Sequence, residues 1–354
     1  MKPDVSVIMS VYNGEAYLEE AIESVVNQTF QNWELIVIND CSTDSTPQIL
    51  ERFARKDARI KVHTNEVNLR LPRSLNKAVS LCEGKYIART DADDICLPQR
   101  LQKQFRFMEE NREVALCSCR FMTVKNGVYA SGGAGGRCDH ASIQAMLLVS
   151  NPILHPGVMA RAEIMKQFPY DPTHTCTEDL ELWTRMVAQG QKMQILPECL
   201  MIYRLHDKQI TSTTLEKQRV EVLRVQEKYY GALLEKMDEP MQRFYIDGIY
   251  FRQQPDIPKF LAYAKWLRRV SAGKLSRHAI DYALFEILAE YKRRGVPKQA
   301  VIKAMCAFSP VFLARETMRR KKAAKADIEK CRQVAADRGL RQTAGTAAYP
   351  IFEK

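Results

Sequence analysis

The chain has 354 residues, 46% of them apolar, enough for one large α/β domain with an extension or for two domains. Its ten Cys and six His include no pair with zinc-finger spacing, and thiols scattered through apolar runs read as free cysteines of a reducing compartment. The net charge of +11 is uneven: residues 207–354 carry 30 Lys and Arg against 17 Asp and Glu, while the rest of the chain is slightly acidic. That asymmetry marks a boundary and points to an anionic partner for the tail.

No run reaches the ~18 apolar residues a membrane span needs. Met1-Lys2-Pro3-Asp4 leads directly into a strand-like run rather than a signal peptide. The expectation is a cytoplasmic, non-spanning protein.

Val5 to Val11 is a β-branched run ended by the turn signal Tyr12-Asn13-Gly14. A helical face of Leu18, Ile22, Val25 and Val26 follows, then a second buried-strand run, Trp33 to Ile38, ending at Asn39-Asp40. Ser42 to Pro47 is rich in capping residues and opens a helix through Ile49, Leu50 and Phe53. Ile60 to His63 reads as a third strand, Ser74 to Leu81 as a third helix, and Tyr86 to Thr90 as a fourth strand. This βαβαβαβ order with nearly continuous apolar strands predicts a mostly parallel, Rossmann-like sheet covered on both faces. Ligands in such sheets bind beyond the carboxyl ends of the strands, so Tyr12, Asp40 and residues 91–94 should meet in one crevice.

Asp91-Ala92-Asp93-Asp94 places three carboxylates in four positions at a strand end. Such a cluster persists where a cation neutralises it or the loop stays wet, and hard oxygen ligands favour Mg²⁺ or Mn²⁺. Beyond it, a helix is expected from Leu97, strands over 114–130 with a hairpin turn at Asn126-Gly127, and a flexible Gly132–Gly136 loop without a phosphate-binding fingerprint. Glu178-Asp179 precedes an amphipathic helix, which alone suggests only an acidic helix start. Helical periodicity dominates after Thr211.

Taken in order, these segments resemble the family 2 glycosyltransferases with the GT-A fold. Val5–Glu15 and Ile38–Asp44 resemble the opening motifs, and Ser74–Ala78 the segment before the acidic cluster. Ala88–Asp94 resembles the metal motif with its leading arginine, Asn151–Gly157 the motif opening the acceptor side, and Thr177–Trp183 the acidic-pair segment. Tyr203-Arg204-Leu205-His206 resembles the terminal signature. The match spans roughly residues 3–212. It departs where the family often has Gly, at Arg70 and after Leu116–Cys119.

The resemblance implies a GT-A domain over 1–212 and inverting transfer from a nucleotide sugar, a UDP-hexose or UDP-N-acetylhexosamine; beyond it, charge and periodicity read 213–354 as a basic, mainly helical region. It implies Asp179 as general base with Glu178 orienting it or touching the acceptor. Asp93 would ligate a divalent Mg²⁺ or Mn²⁺, with His206 lining the metal or phosphates and Asp91 near the ribose or reaching the metal through water. Asp94 would substitute for either or cap the next helix. Asp40 would accept from the base ring and Tyr12 flank it. Arg89 is read as structural or as a diphosphate contact, and Asn76, His155, Trp183 and Arg204 as substrate-side residues. The implied acceptor is a glycan or lipid-linked hydroxyl of a surface polysaccharide.

Residues 297–325 join an apolar run to Arg315, Arg319, Arg320, Lys321, Lys322 and Lys325. They read either as an interfacial helix on the inner face of an anionic membrane or as a core-packing helix with a solvated basic end. No nucleic-acid motif is present. The rival functions are a nucleotidyltransferase acting on sugar phosphates and a degenerate nucleotide- or glycan-binding scaffold.

Overall fold

The computed structural model describes residues 2–131, 139–206, 215–250, 255–308, 341–346 and 349–353, with four isolated positions between 329 and 337. Strands β1 (Val5–Val11), β2 (Trp33–Asn39), β3 (Ile60–Thr64) and β4 (Tyr86–Arg89) alternate with helices α1 (Leu18–Val26), α2 (Thr46–Lys56) and α3 (Leu71–Leu81). β3, β2, β1 and β4 lie side by side and parallel. Every residue of β2 is buried, as a strand covered on both faces requires.

The sheet then turns mixed. The two-residue β5 (Ile95–Cys96) is followed by α4 (Arg100–Glu110), the long β6 (Val114–Lys125), β7 (Val128–Ser131) and α5 (His140–Met146). Next come β8 (Met159–Arg161), α6 (Ala162–Gln167), α7 (Glu178–Ala188) and β9 (Lys192–Arg204). β8 runs antiparallel to β4 and β6, β9 parallel to β6, and β5 antiparallel to β9. Asn126 (φ 51°) and Gly127 (φ 80°) make the expected two-residue hairpin between β6 and β7, both in the left-handed region that a type I′ turn demands. Strands β10 (Arg341–Thr346) and β11 (Tyr349–Glu353) extend the sheet at β7.

The C-terminal region is helical as anticipated: α8 (Leu215–Leu233), α9 (Glu239–Phe244), a π-helical turn (Tyr245–Tyr250), α10 (Ile257–Val270), α11 (Arg277–Arg293) and α12 (Lys298–Phe308). Its buried Tyr229, Tyr230, Tyr263, Leu284 and Met305 belong to one hydrophobic cluster with Ile36, Leu75, Leu182 and Trp183 of the sheet domain. The core therefore runs on across residue 212. No described helix is long and apolar enough to cross a membrane. The glycine loop 132–136 and the basic stretch 309–325 lie outside the described residues.

Two helix starts differ from expectation. α3 begins at Leu71, three residues early, because Pro72 occupies its first turn with φ preset. α4 begins at Arg100 rather than Leu97. Arg70, before α3, has φ 66° and ψ 163°, a region that glycine adopts far more readily. That is the position where the sequence departs from the family's glycine.

Candidate active site

The parallel register brings the ends of β1, β2 and β4 together: Val11 pairs with Asn39 and Ile8 with Arg89. The loop after β1 interlocks with the loop after β2. Asn13 N–H donates to Ser42 Oγ (3.0 Å), Gly14 N–H to Thr46 Oγ1 (2.9 Å), and Thr43 N–H to Asn13 Oδ1 (2.8 Å). A Cβ on Gly14 would sit 2.5 Å from Val11 Cγ2, so only glycine lets the loop fold this closely. Tyr12 is left 53% exposed at the rim.

Asp40 is buried at the floor. Its Oδ1 accepts from Leu69 N–H and from Asn65 Nδ2, both at 2.8 Å, and Lys77 Nζ steadies Asn65 through Oδ1 (2.7 Å). Asp40 thus stands in a fixed rotamer. Asn65, which orders it, was not singled out from sequence.

At the end of β4, Asp91, Asp93 and Asp94 each offer a carboxylate oxygen within 4.8 Å of the others. Arg89 lies beneath them, its side chain 4% exposed and salt-bridged to Asp91. Its Nε and Nη1 are buried without a hydrogen-bond partner among the described residues, so the guanidinium is only partly satisfied by Asp91. Asp94 does not cap α4. Its Oδ1 instead accepts from Arg204 N–H (2.9 Å), while Oδ2 is buried without a partner.

Burial, then the charges of Asp91 and Asp93, push Asp94 well above the usual aspartate range. Burial likewise raises Asp91 to about 6, against the pull of Arg89. Crowded hard oxygens, one of them orphaned, fit a divalent cation better than they fit the protein alone. His206 Nε2 lies 2.9 Å from Asp93 Oδ2, at the edge of this cluster.

Arg204 belongs to the scaffold of the loop. Its Nε donates to the Asp93 carbonyl (2.9 Å), its Nη2 to Glu20 (2.6 Å), and its guanidinium stacks over Tyr17 at 4.5 Å. These contacts tie the acidic loop to β9 and α1.

Glu178 and Asp179 are the first two residues of α7, inside the helix rather than before it. Asp179 Oδ1 accepts from Leu180 N–H and Oδ2 from Asn151 Nδ2, both at 2.7 Å. Burial raises the carboxyls of both acids, and for Glu178 the neighbouring Asp179 charge adds to it, pushing it up to about 8. With its carboxyl pushed up to about 8, Glu178 is the member of the pair that holds its proton at neutral pH. Arg89 acts on both acid groups: its charge opposes the raised values of Asp91, Glu178 and Asp179.

Three residues expected on the substrate side are engaged within the protein itself. Trp183 is fully buried, its ring edge-on to His155 at 5.6 Å, so it has no face for a ligand. Asn76 spends its amide on the backbone of Tyr170, donating to the carbonyl and accepting from the N–H, both at 2.8 Å. His155 is 7% exposed and bonded to the Tyr170 hydroxyl (2.9 Å). Burial and then Arg89 hold its pKa well below the ordinary value, so it is neutral, and its 3.7 Å approach to Glu178 is not an ion pair. Together Asn76, Tyr170, His155 and Trp183 form the packed wall behind Glu178.

The raised Glu178 value has a consequence for stability. Between the ordinary glutamate value of 4.5 and about 8, the folded protein keeps a proton that the unfolded chain releases. Stability must then fall as pH rises across that window. Glu178→Gln removes this dependence, and the variant should gain on the order of 3 kcal/mol over the parent at pH 8 relative to pH 5. Urea unfolding at the two pH values measures this; parallel losses in both proteins would show that Glu178 is not held neutral.

A Rossmann-like sheet whose strand ends present an acidic cluster facing a helix-borne acid pair defines a nucleotide-diphospho-sugar transferase fold of the GT-A type. The sequence model of Glycosyl transferase family 2 matches residues 6–167. The chain is 36% identical over 222 residues to an uncharacterized glycosyltransferase of Methanocaldococcus jannaschii, covering 62% of this chain and 77% of that protein. It is 33% identical over 218 residues to the O-antigen biosynthesis glycosyltransferase WbnJ of Escherichia coli, covering 60% and 83%.

Among solved structures, S. aureus TarS 1–349 in complex with UDP superposes with a TM-score of 0.53 at 18% identity, covering 98% of this chain and 95% of that one. The mannosyltransferase PcManGT of Pyrobaculum calidifontis, in complex with GDP-Man and Mn²⁺, gives 0.50 at 17% identity, covering 90% and 84%. The chain belongs to glycosyltransferase family 2.

Proposed function

We propose that this glycosyltransferase inverts the anomeric centre as it moves a hexose or N-acetylhexosamine from a UDP-sugar to a hydroxyl of a glycan or lipid-linked acceptor in surface polysaccharide synthesis. The observation that carries this reading is the acid pair at the start of α7: Asp179, fixed by Asn151 and Leu180, stands next to Glu178, whose carboxyl is pushed up to about 8. A single general base removing the acceptor proton implies one displacement and hence inversion. Asp40 Oδ1 is saturated by Asn65 and Leu69, leaving Oδ2 to accept from a ring N–H, which favours uracil. Asp93, with Asp91 and His206, would hold a Mg²⁺ or Mn²⁺ whose charge stabilises the departing diphosphate. Glu178, neutral at pH 7, is able to donate to an acceptor oxygen.

The names of the relatives support this choice: one acts in O-antigen biosynthesis, and the TarS structures include a UDP-GlcNAc complex. The loop after β1 is bonded to Ser42–Thr46 and carries no Arg or Lys, which speaks against a nucleotidyltransferase. A buried acid beside a half-buried one at a single helix start destabilises the fold, a cost that chemistry would justify, which speaks against a scaffold. The proposed setting is the cytoplasmic side of a membrane; since Val301 and Met305 are packed in the core, peripheral contact would rest on the basic residues that follow them in sequence.

Product configuration tests the mechanism. An α-linked donor should yield a β-linked product by NMR of the anomeric proton, and a retained configuration would refute the single-base route.

A further inference from the structure

The segment that leads into α7 is held from outside the sheet domain. Thr177 is the N-cap residue of α7, yet its side chain makes no capping bond to that helix. Its hydroxyl instead donates to Oε2 of Glu221, on α8, at 3.1 Å. The same oxygen accepts from the backbone N–H of Cys176 at 3.0 Å. Because the Thr177 hydroxyl has one hydrogen and gives it to Glu221, His174 Nδ1, 3.1 Å away, is the donor in that contact. Thr175 Oγ1 approaches Glu221 Oε1 at 3.5 Å, and Lys217 Nζ lies 3.8 Å from that oxygen while bonding Thr175. Glu221 is 3% exposed. A carboxyl taken this far out of water is costly unless it is well bonded, and here its partners are three consecutive residues, Thr175 to Thr177.

We propose that Glu221 is a positioning residue for the catalytic carboxylate, the strut through which the C-terminal helices set the position of the first turn of α7. The proposal rests on the reading of Asp179 as the general base. Asp179 follows Thr177 by two residues, and its carboxylate accepts from Leu180 N–H and Asn151. Those bonds orient the carboxylate, but the place of the whole turn is set by what grips Thr175–Thr177. A shift of about 1 Å at a reacting group can cost on the order of 100-fold in rate. This gives the helical region a task in catalysis without any contact to substrate.

The experiment compares Glu221→Ala, Glu221→Gln and Ser276→Ala in the full chain, with the nucleotide sugar that the wild type turns over best. Ser276 caps α11, its Oγ accepting from Ala279 N–H at 3.4 Å, so its loss weakens the same helical region without touching the Thr175–Thr177 grip. Glu221→Ala should lower kcat by about 10- to 100-fold with donor KM within about threefold. It should also accelerate amide hydrogen exchange over residues 175–181. Glu221→Gln keeps an oxygen acceptor for Cys176 and Thr177 and should restore kcat to within about threefold of wild type. Ser276→Ala should leave kcat unchanged.

Unchanged kcat in Glu221→Ala, or equal losses in Glu221→Ala and Ser276→Ala, would overturn the proposal, since the second result would follow from stability alone. Failure of the underlying reading shows itself separately, as undiminished turnover in Asp179→Asn. Unaltered exchange at 175–181 in Glu221→Ala would count against the strut in that case too.

Discussion

Asp179→Asn should reduce sugar transfer by about 10²- to 10⁴-fold, the range general-base removal commonly costs, while nucleotide binding survives. The substitution keeps the side chain's shape and its Oδ1 acceptor for Leu180 N–H. The contact with Asn151 is retained only if one amide turns, so the structural change is small beside the chemical one. Loss of the charge removes the one group at the start of α7 able to take an acceptor proton at neutral pH, because Glu178 beside it is protonated. It also removes a repulsive neighbour, so the Glu178 pKa should fall, partly offsetting the loss in alkaline assays. Calorimetric titration with the nucleoside diphosphate separates the two effects: transfer gone with binding intact is the expected pair of results, and turnover surviving with binding would reassign the base.

The second large effect is expected from metal removal. EDTA should silence transfer, and Mn²⁺ or Mg²⁺ should restore it. Asp91, Asp93 and Asp94 crowd three oxygens within 4.8 Å, and Asp94 leaves a buried oxygen without a partner. Arg89 neutralises only part of that charge, through Asp91. Asp93→Ala should abolish restoration at Mn²⁺ concentrations that fully reactivate the parent, with the fold unchanged by circular dichroism. Full activity of the parent in chelator would remove Asp93 from its role.

Much of the frame was readable from residue order. Val5–Val11 and Trp33–Asn39 are apolar enough to be fully covered strands, and a parallel sheet forces whatever ends them, Asp40 and Asp91–Asp94, onto one edge. Asp179 stood out through its motif, and the structure puts it in the first turn of α7. What escaped were bonds between side chains remote in sequence: Asn151 with Asp179, Asn65 with Asp40, Glu221 with Thr177. Such contacts leave no periodic trace in a chain, since either partner alone is an ordinary polar residue.

Trp183 and Asn76 show the converse. They lie in segments that build the site, but the helix period turns Trp183 inward, and a backbone partner claims both ends of the Asn76 amide. Arg70 is a third case: its departure from glycine was visible, but only the backbone shows that the residue accepts φ 66° there.

The identity of the released nucleotide tests the central claim most directly. With a panel of nucleotide hexoses, Mn²⁺ and the wild-type chain, the account predicts consumption of a UDP-sugar with release of the nucleoside diphosphate, and loss of that release in Asp179→Asn. Formation of pyrophosphate, or no consumption of any donor in the panel, would contradict it.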